Sequence, residues 1–223
     1  MHSALRDAWK DQVLAEDYEA HMAAIGQARA NAEHLRSMLL RYPPPPGALV
    51  WMAGAGPGQM FDYLPAELLS PWRLVCTDLS QRFLAVLRGR YPRAECVVED
   101  LLQPALAAEC DTAVVVLVLE HIDWQRGVKA LAARRPRQVF VVIQRNPEGM
   151  QSAVSPQRVL PGSMVVFGGT HPELLREEEL VEAFAAEGYT LAERQASPVA
   201  DGKTMLALVF QAPGRVTKEL DKI

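Results

Sequence analysis

Three glycines at alternate positions, Gly54, Gly56 and Gly58, stand directly behind the apolar tetrad Ala48-Leu49-Val50-Trp51. Glycine has no Cβ, so a turn built on several of them lets a ligand lie against bare main chain. An ordinary tight strand-to-helix turn is the plainer use of the same residues. Asp78 follows twenty residues after Gly58. An acid placed there, at the end of a strand, can accept hydrogen bonds from both hydroxyls of a ribose. Asp78 or Ser80 could equally cap the helix that begins at Gln81. Further on, Glu120-His121 closes the apolar run Asp111 to Leu119, where either side chain could take a proton from a reacting group. The chemistry suggested is that of a nucleoside-like ligand with a proton acceptor nearby.

Strands must hold these residues. Besides 48–51, short apolar or β-branched runs at Arg73–Thr77, Glu95–Val98, Asp111–Leu119 and Gln138–Ile143 predict strands. The run at 111–119 reads as a central parallel strand buried on both faces. Met60, Phe61 and Leu64 predict a packed helix behind the glycine turn, ending near Pro65 or the Leu68-Leu69-Ser70-Pro71 stretch. Residues 148–171 lack a strong period and read as a substrate-side loop with a short element at Ser163–Phe167. Glu173–Gly188 has the pattern of an amphipathic helix. Tyr189–Gln195 and Lys203–Gln211 read as a terminal hairpin.

In front of the first strand, Trp9, Val13, Tyr18, Met22, Ile25, Leu35 and Leu39 recur at helical spacing, with a break near Gly26. Residues 1–42 are therefore expected to form a helical cap of two helices. Trp9, Tyr18 and His21 are candidates for the inner face of a lid, with plain helix packing as the alternative. Residues 43–47 form a stiff proline connector. Residues 48–213 form an α/β sheet domain, and 214–223 a frayed charged tail.

The spacing G-x-G-x-G, followed by Asp78, then Asp100-Leu101, then Leu119-Glu120-His121-Ile122, resembles the class I S-adenosylmethionine (SAM) methyltransferases. The resemblance covers about Ala48 to Ala212. It implies a Rossmann-like doubly wound sheet of about seven strands whose C-terminal strand is antiparallel. It implies SAM as cofactor, held by Ala53, Gly54, Gly56, Gly58, Asp78, Leu79, Asp100, Leu101 and Leu117. Asp78 would take the ribose. Asp100 would meet the adenine amino group, with Leu101 against the ring. Tyr18, His121 and Asn146 are the candidates for catalysis.

Composition excludes several classes. The chain of 223 residues has a net charge of −4 and is 49% hydrophobic, as expected of a globular protein. No basic stripe suggests a nucleic-acid partner, and no apolar run approaches a membrane span. The L-E-H-I segment also differs from the Asn/Asp-Pro-Pro-aromatic signature that holds a flipped base. No cluster of Asp, Asn and His has metal-ligand spacing, and His2, His21, His34 and His171 are scattered, mostly surface positions. Cys76, Cys96 and Cys110 read as reduced thiols, which points to the cytoplasm. A small-molecule substrate is the expected partner, and a homodimer is left open.

One departure bears on the reaction. Members of the family usually carry an acid two residues before the first glycine, where it helps hold the cofactor's ammonium group. Here that position is Met52. Drift is one explanation, with main-chain carbonyls and the Gln144–Asn146 region taking over. The other is that the amine is left unpinned, which makes its neutral, nucleophilic form more accessible. Two reactions therefore stay open: methyl transfer to a small acceptor, and intramolecular cyclisation of SAM to azetidine-2-carboxylate and methylthioadenosine. Azetidine-2-carboxylate synthases resemble methyltransferases, and Asn146 and Ser197 could orient the amine. A non-catalytic SAM-binding partner protein is the third possibility.

Overall fold

The computed structural model describes residues 2–104, 109–150, 159–169 and 172–213. Seven strands form one sheet in the order β3-β2-β1-β4-β5-β7-β6. They are β1 Leu49–Ala53, β2 Arg73–Asp78, β3 Glu95–Val98, β4 Thr112–Val116, β5 Gln138–Arg145, β6 Thr190–Pro198 and β7 Thr204–Gln211. The first five pair in parallel, and β7 then runs antiparallel to both β5 and β6. This is the Rossmann-like sheet with antiparallel closing strands that the sequence predicts.

Strand order reverses between β1 and β4. In open α/β sheets ligands lie at such a switch point, beyond the carboxyl ends of the strands. Register brings those ends level, because Ala53 lies beside Thr77 of β2 and Val115 of β4. The glycine turn, Asp78 and Leu117 therefore leave the sheet side by side.

Alternation along each strand feeds two cores. Trp51 and Ala53 join Val139, Val141, Leu131 and Phe184 on one face, beneath α5 (Trp124–Ala133) and α6 (Glu177–Ala186). Val50 and Met52 join Val114, Phe140, Leu35 and Met38 on the other, beneath α3 (Gln27–Arg41). Each such buried side chain contributes about 1.5–3 kcal/mol. A third cluster holds Leu5, Val13, Phe83, Met164 and Phe167. It ties the N-terminal helices to α4 (Gln81–Arg90) and to a 3-10 segment at Gly162–Gly169.

The cap has three helices: α1 (His2–Asp7), α2 (Ala15–Ala24) and α3, with a π turn at Ala8–Gln12 following α1. The break at Gly26 is where the sequence placed it, in left-handed backbone at φ 72°. The extra break falls at Val13-Leu14, both extended.

The helix expected after the glycine turn is not there. That stretch is a series of turns with one 3-10 turn at Phe61–Tyr63. Leu64, preceding Pro65, is forced into extended backbone. The sheet face such a helix would cover is taken by α3, and Met60 and Phe61 pack against it.

The strand predicted at 111–119 stops at Val116. Leu117 turns the chain through left-handed backbone at φ 55°, and Leu119–His121 forms a 3-10 turn. The predicted helix 173–188 is ordered as α6 only from Glu177. The tail from 214, His171 and much of the loop at 148–171 lie outside the described residues.

Candidate functional site

Two cavities meet above the carboxyl ends of β1, β2 and β4. The first, about 90 Å³, is lined at its floor by Gly54, Gly56, Asp78, Leu79, Asp100, Leu101 and Leu117. Arg6, Trp9, Tyr18 and Phe83 form its roof and wall. Tyr18 and Phe83 stack with ring centroids 5.7 Å apart. Trp9 and Tyr18, the candidates for the inner face of a lid, both line this cavity. Ligand pockets usually measure about 300–1,000 Å³, so a nucleoside enters only if the roof shifts.

The glycine turn is shaped for close approach. Gly54 has φ 68°, and a Cβ on it would fall 2.3 Å from Val118 Cγ2. Gly54→Ala is therefore expected to destabilise the fold by about 1–3 kcal/mol through backbone strain and overpacking. Urea denaturation measures this, and an unchanged midpoint would mean that the turn is more tolerant than its geometry implies. Gly56 has φ 60°, and its missing Cβ faces Tyr18 Cε1 at 3.5 Å. Its N–H donates to Asp78 Oδ2 at 2.9 Å, and Ser80 N–H donates to Oδ1 at 2.8 Å. One carboxylate thus fixes both the turn and the start of α4, while Ser80 caps that helix through Phe83 N. The Leu79 main chain also bonds this carboxylate, which has about four acceptor sites in all. Desolvation pushes the Asp78 carboxyl up to about 6.

Asp100 lies at the cavity wall, but it already holds partners. Its Oδ1 accepts from Leu102 N, and its Oδ2 accepts from Arg6 Nε at 2.9 Å. Arg6 comes from α1, 94 residues away in the chain, and nothing in the sequence singled it out.

Three expected site residues stand apart from the cavity lining. Ala53 is buried in the core below the turn. Gly58 faces Leu87 and Tyr91 of the α4 region. Asn146 lies beyond β5, accepting from Gln144 Nε2 at 2.7 Å and donating to Met150 O at 3.0 Å. Met52 is 2% exposed among apolar neighbours, because its position on β1 points into the core beneath α3.

The second cavity, about 80 Å³, shares Trp9, Tyr18, Leu117 and His121 with the first. His21, Met22, Gln27, Glu120, Gln144, Met164 and Phe167 complete most of its wall. Phe167 lies 4.7 Å from Trp9, which meets His121 edge-on at 5.1 Å. The loop bearing Phe167 is pinned to α2, since Ser163 donates to Asp17 Oδ2 through both N–H and Oγ at 2.6 Å. A line of polar groups runs along one side. Gln144 N–H donates to Glu120 Oε1 at 2.8 Å, and Gln27 Nε2 donates to Gln144 Oε1 at 2.7 Å. Gln27 went unnoticed in the sequence, where an isolated glutamine carries no signal, and Gln144 entered only as part of the Gln144–Asn146 region.

Burial reverses the usual order of the two titrating neighbours. Desolvation raises the Glu120 carboxyl to about 7 and lowers His121 to about 4. At neutral pH His121 is therefore an uncharged imidazole and Glu120 the stronger base. Tyr18 is raised, first by desolvation and then by the charge of Asp78, and stays a phenol. Since His121 binds its proton less readily folded than unfolded, stability is lost as pH falls from about 6.5 through 4. His121→Gln should remove up to about 3 kcal/mol of that acid-side loss. Urea denaturation at pH 7 and pH 4 tests this, and an equal loss in both proteins would contradict it.

Among the described residues no group of three or more His, Cys, Asp or Glu could hold a metal ion. No helix among them is long and apolar enough to cross a membrane. All three cysteines are free thiols.

Residues 51–136, from the middle of β1 through the glycine turn, Asp78, Asp100 and Glu120-His121, match the family model described as "Methyltransferase domain". Those residues are similar to that family. Solved structures extend the likeness of fold beyond it. The chain is similar to magnesium protoporphyrin IX methyltransferase from Synechocystis PCC 6803 with bound SAH, at 15% identity over 82% of this chain and 83% of that one, TM-score 0.63. It is similar to the N-methyltransferase NodS from Bradyrhizobium japonicum WM9 in complex with S-adenosyl-L-homocysteine, at 16% identity over 95% and 97%, TM-score 0.62. It is also similar to the cyclase SpnF, at 12% identity over 80% of each chain, TM-score 0.62. No curated protein matches the sequence. One methyltransferase fold thus hosts several chemistries, and the reaction has to be argued from the site.

Proposed function

We propose that this chain is an enzyme that binds SAM in the first cavity and transfers its methyl group to a small molecule held in the second. The supporting observation is the junction of the two cavities at Trp9, Tyr18, Leu117 and His121, directly above the glycine turn and Asp78. The first cavity suits the cofactor chemically. Bare main chain at Gly54 and Gly56 admits close contact, Asp78 supplies acceptors for two hydroxyls, and Leu79, Leu101 and Phe83 supply apolar surface for a base. Asp100 keeps acceptor capacity for an adenine amino group beside its contacts with Arg6 and Leu102.

When bound, the cofactor supplies an electrophilic methyl group on sulfur. The chain's own residues position the acceptor, exclude water beneath the Trp9 and Tyr18 roof, and accept a proton where one is released. Glu120 is the better placed acceptor for that proton, given the lowered basicity of His121. Aromatic faces at Tyr18 and Trp9 suit a sulfonium.

Cyclisation of SAM is a second reading, favoured by the burial of Met52 in the core, which leaves that position without a carboxylate for the ammonium. Asn146, through Gln144, could then orient the amine. Incubating the purified chain with SAM alone separates the two. Methylthioadenosine formed at turnover together with azetidine-2-carboxylate would establish cyclisation. S-adenosylhomocysteine formed only after an acceptor is added would establish methyl transfer. No thermal shift with SAM would favour a non-catalytic module and overturn both. The free thiols fit a reducing compartment, and we place the enzyme in the cytoplasm.

A further inference from the structure

We infer that the second cavity is a receptor for a compact amine, with the nitrogen held at Glu120 Oε2 and the carbon body against Trp9, Met164 and Phe167. The inference rests on the methyl-transfer reading of the same site and adds the chemical class of the acceptor.

Glu120 is 3% exposed, and its two oxygens differ. Oε1 is anchored by the Gln144 amide at 2.8 Å. Oε2 is fully buried and has no hydrogen-bond partner among the described residues. Leaving a buried carboxylate oxygen without a donor costs free energy, so a ligand N–H that reaches it is favoured over one that does not.

The rest of the wall selects the charge of that ligand. Among the described residues lining the cavity, Glu120 carries the one carboxylate and no lysine or arginine appears. Tyr18 and His121 are neutral at pH 7, and His21 is the remaining titratable side chain on the wall. An anionic acceptor would meet Glu120 without compensation, whereas an ammonium meets a carboxylate and the ring faces of Trp9 and Phe167. Burial also brings Glu120 close to neutrality in its proton affinity. A bound ammonium can therefore pass one proton to Oε2. The N–H bond breaks, its electron pair stays on nitrogen as the lone pair, and the carboxylate becomes a carboxylic acid. The proton returns to water when product leaves.

The test is binding, not turnover. Isothermal titration calorimetry on the full chain saturated with S-adenosylhomocysteine would compare benzylamine, benzyl alcohol and benzoate. The expected result is benzylamine tighter than benzyl alcohol by about tenfold or more, with benzoate not binding. Glu120→Gln should abolish the preference for the amine and leave S-adenosylhomocysteine affinity within about twofold. The comparison among the three probes stands on the unaltered chain should that variant not fold. Equal affinity for amine and alcohol, tighter benzoate, no binding of any probe, or a preference that survives Glu120→Gln would each overturn the amine assignment while leaving the cofactor reading intact. Failure of S-adenosylhomocysteine itself to bind would instead remove the reading beneath it.

Discussion

Asp78→Ala is expected to weaken S-adenosylhomocysteine binding by about 100-fold. A hydrogen bond to a charged group is worth about 1.5–3 kcal/mol, and every 1.4 kcal/mol is tenfold in affinity. Two ribose hydroxyls on one carboxylate would lose more than one such bond. The same carboxylate also orders Gly56 and Ser80, so part of the loss would come from a looser turn. Asp78→Asn separates the contributions, because an amide keeps an acceptor and the shape but not the charge. Affinity in the unaltered protein should fall as pH drops through about 6, where Asp78 takes up a proton in the ligand-free state. Calorimetry from pH 5 to 8 measures both effects. An unchanged affinity in Asp78→Ala would refute the ribose assignment.

The second large effect lies beneath the cavity. Arg134 Nη2 meets Glu99 Oε1 at 2.6 Å, with the side chains only 5% and 0% exposed. The guanidinium also lies 3.7 Å from the ring centroid of Trp51, whose indole N–H donates to Thr77 Oγ1. Removing one member of a buried pair takes away the other charge's main counter-ion and typically costs about 3–5 kcal/mol. Arg134→Met is expected to destabilise the protein by that amount, measured by urea denaturation. Because a buried pair is weak evidence of net stability, the double variant Glu99→Gln/Arg134→Met should recover most of the loss. A cost below about 1 kcal/mol for the single variant would show that the pair contributes little to folding. Since Glu99 also lines the first cavity, the single variant should weaken S-adenosylhomocysteine binding as well.

Neither residue of that pair stood out in the sequence. Glu99 sits beside Asp100 in an ordinary strand-to-loop transition, and Arg134 is one of two adjacent arginines after α5. Their meeting depends on α5 packing over β1 and on Trp51 filling the space between. A sequence pattern records which face of an element is apolar, but not which polar group on a distant element it will face.

Much of the scaffold was nevertheless legible. The runs at 73–78, 95–98 and 138–145 are strands because β-branched and aromatic residues crowd short segments bounded by Pro, Gly and Asp. Gly54 and Gly56 line the cavity because the turn after β1 needs left-handed backbone, and glycine adopts it without strain. Asp78 falls at the end of β2, where the register with β1 places it beneath Gly56. Those outcomes follow from local chemistry and from the rule that parallel strands expose their carboxyl ends together.

The tertiary structure decided the rest. Residues 60–64 carry an apolar spacing suited to a helix, yet α3 had already covered that sheet face and Pro65 closed the segment off. Arg6 reaches Asp100, Gln27 reaches Gln144, and Asp17 reaches Ser163, each across more than 90 residues of chain. Such contacts leave no trace in periodicity, because the side chains involved are polar and isolated in sequence. The residues at the floor of the first cavity were therefore set by local turn and strand chemistry. The roof over them, and the lone buried oxygen of Glu120 in the neighbouring cavity, exist only because the cap folds back onto the sheet.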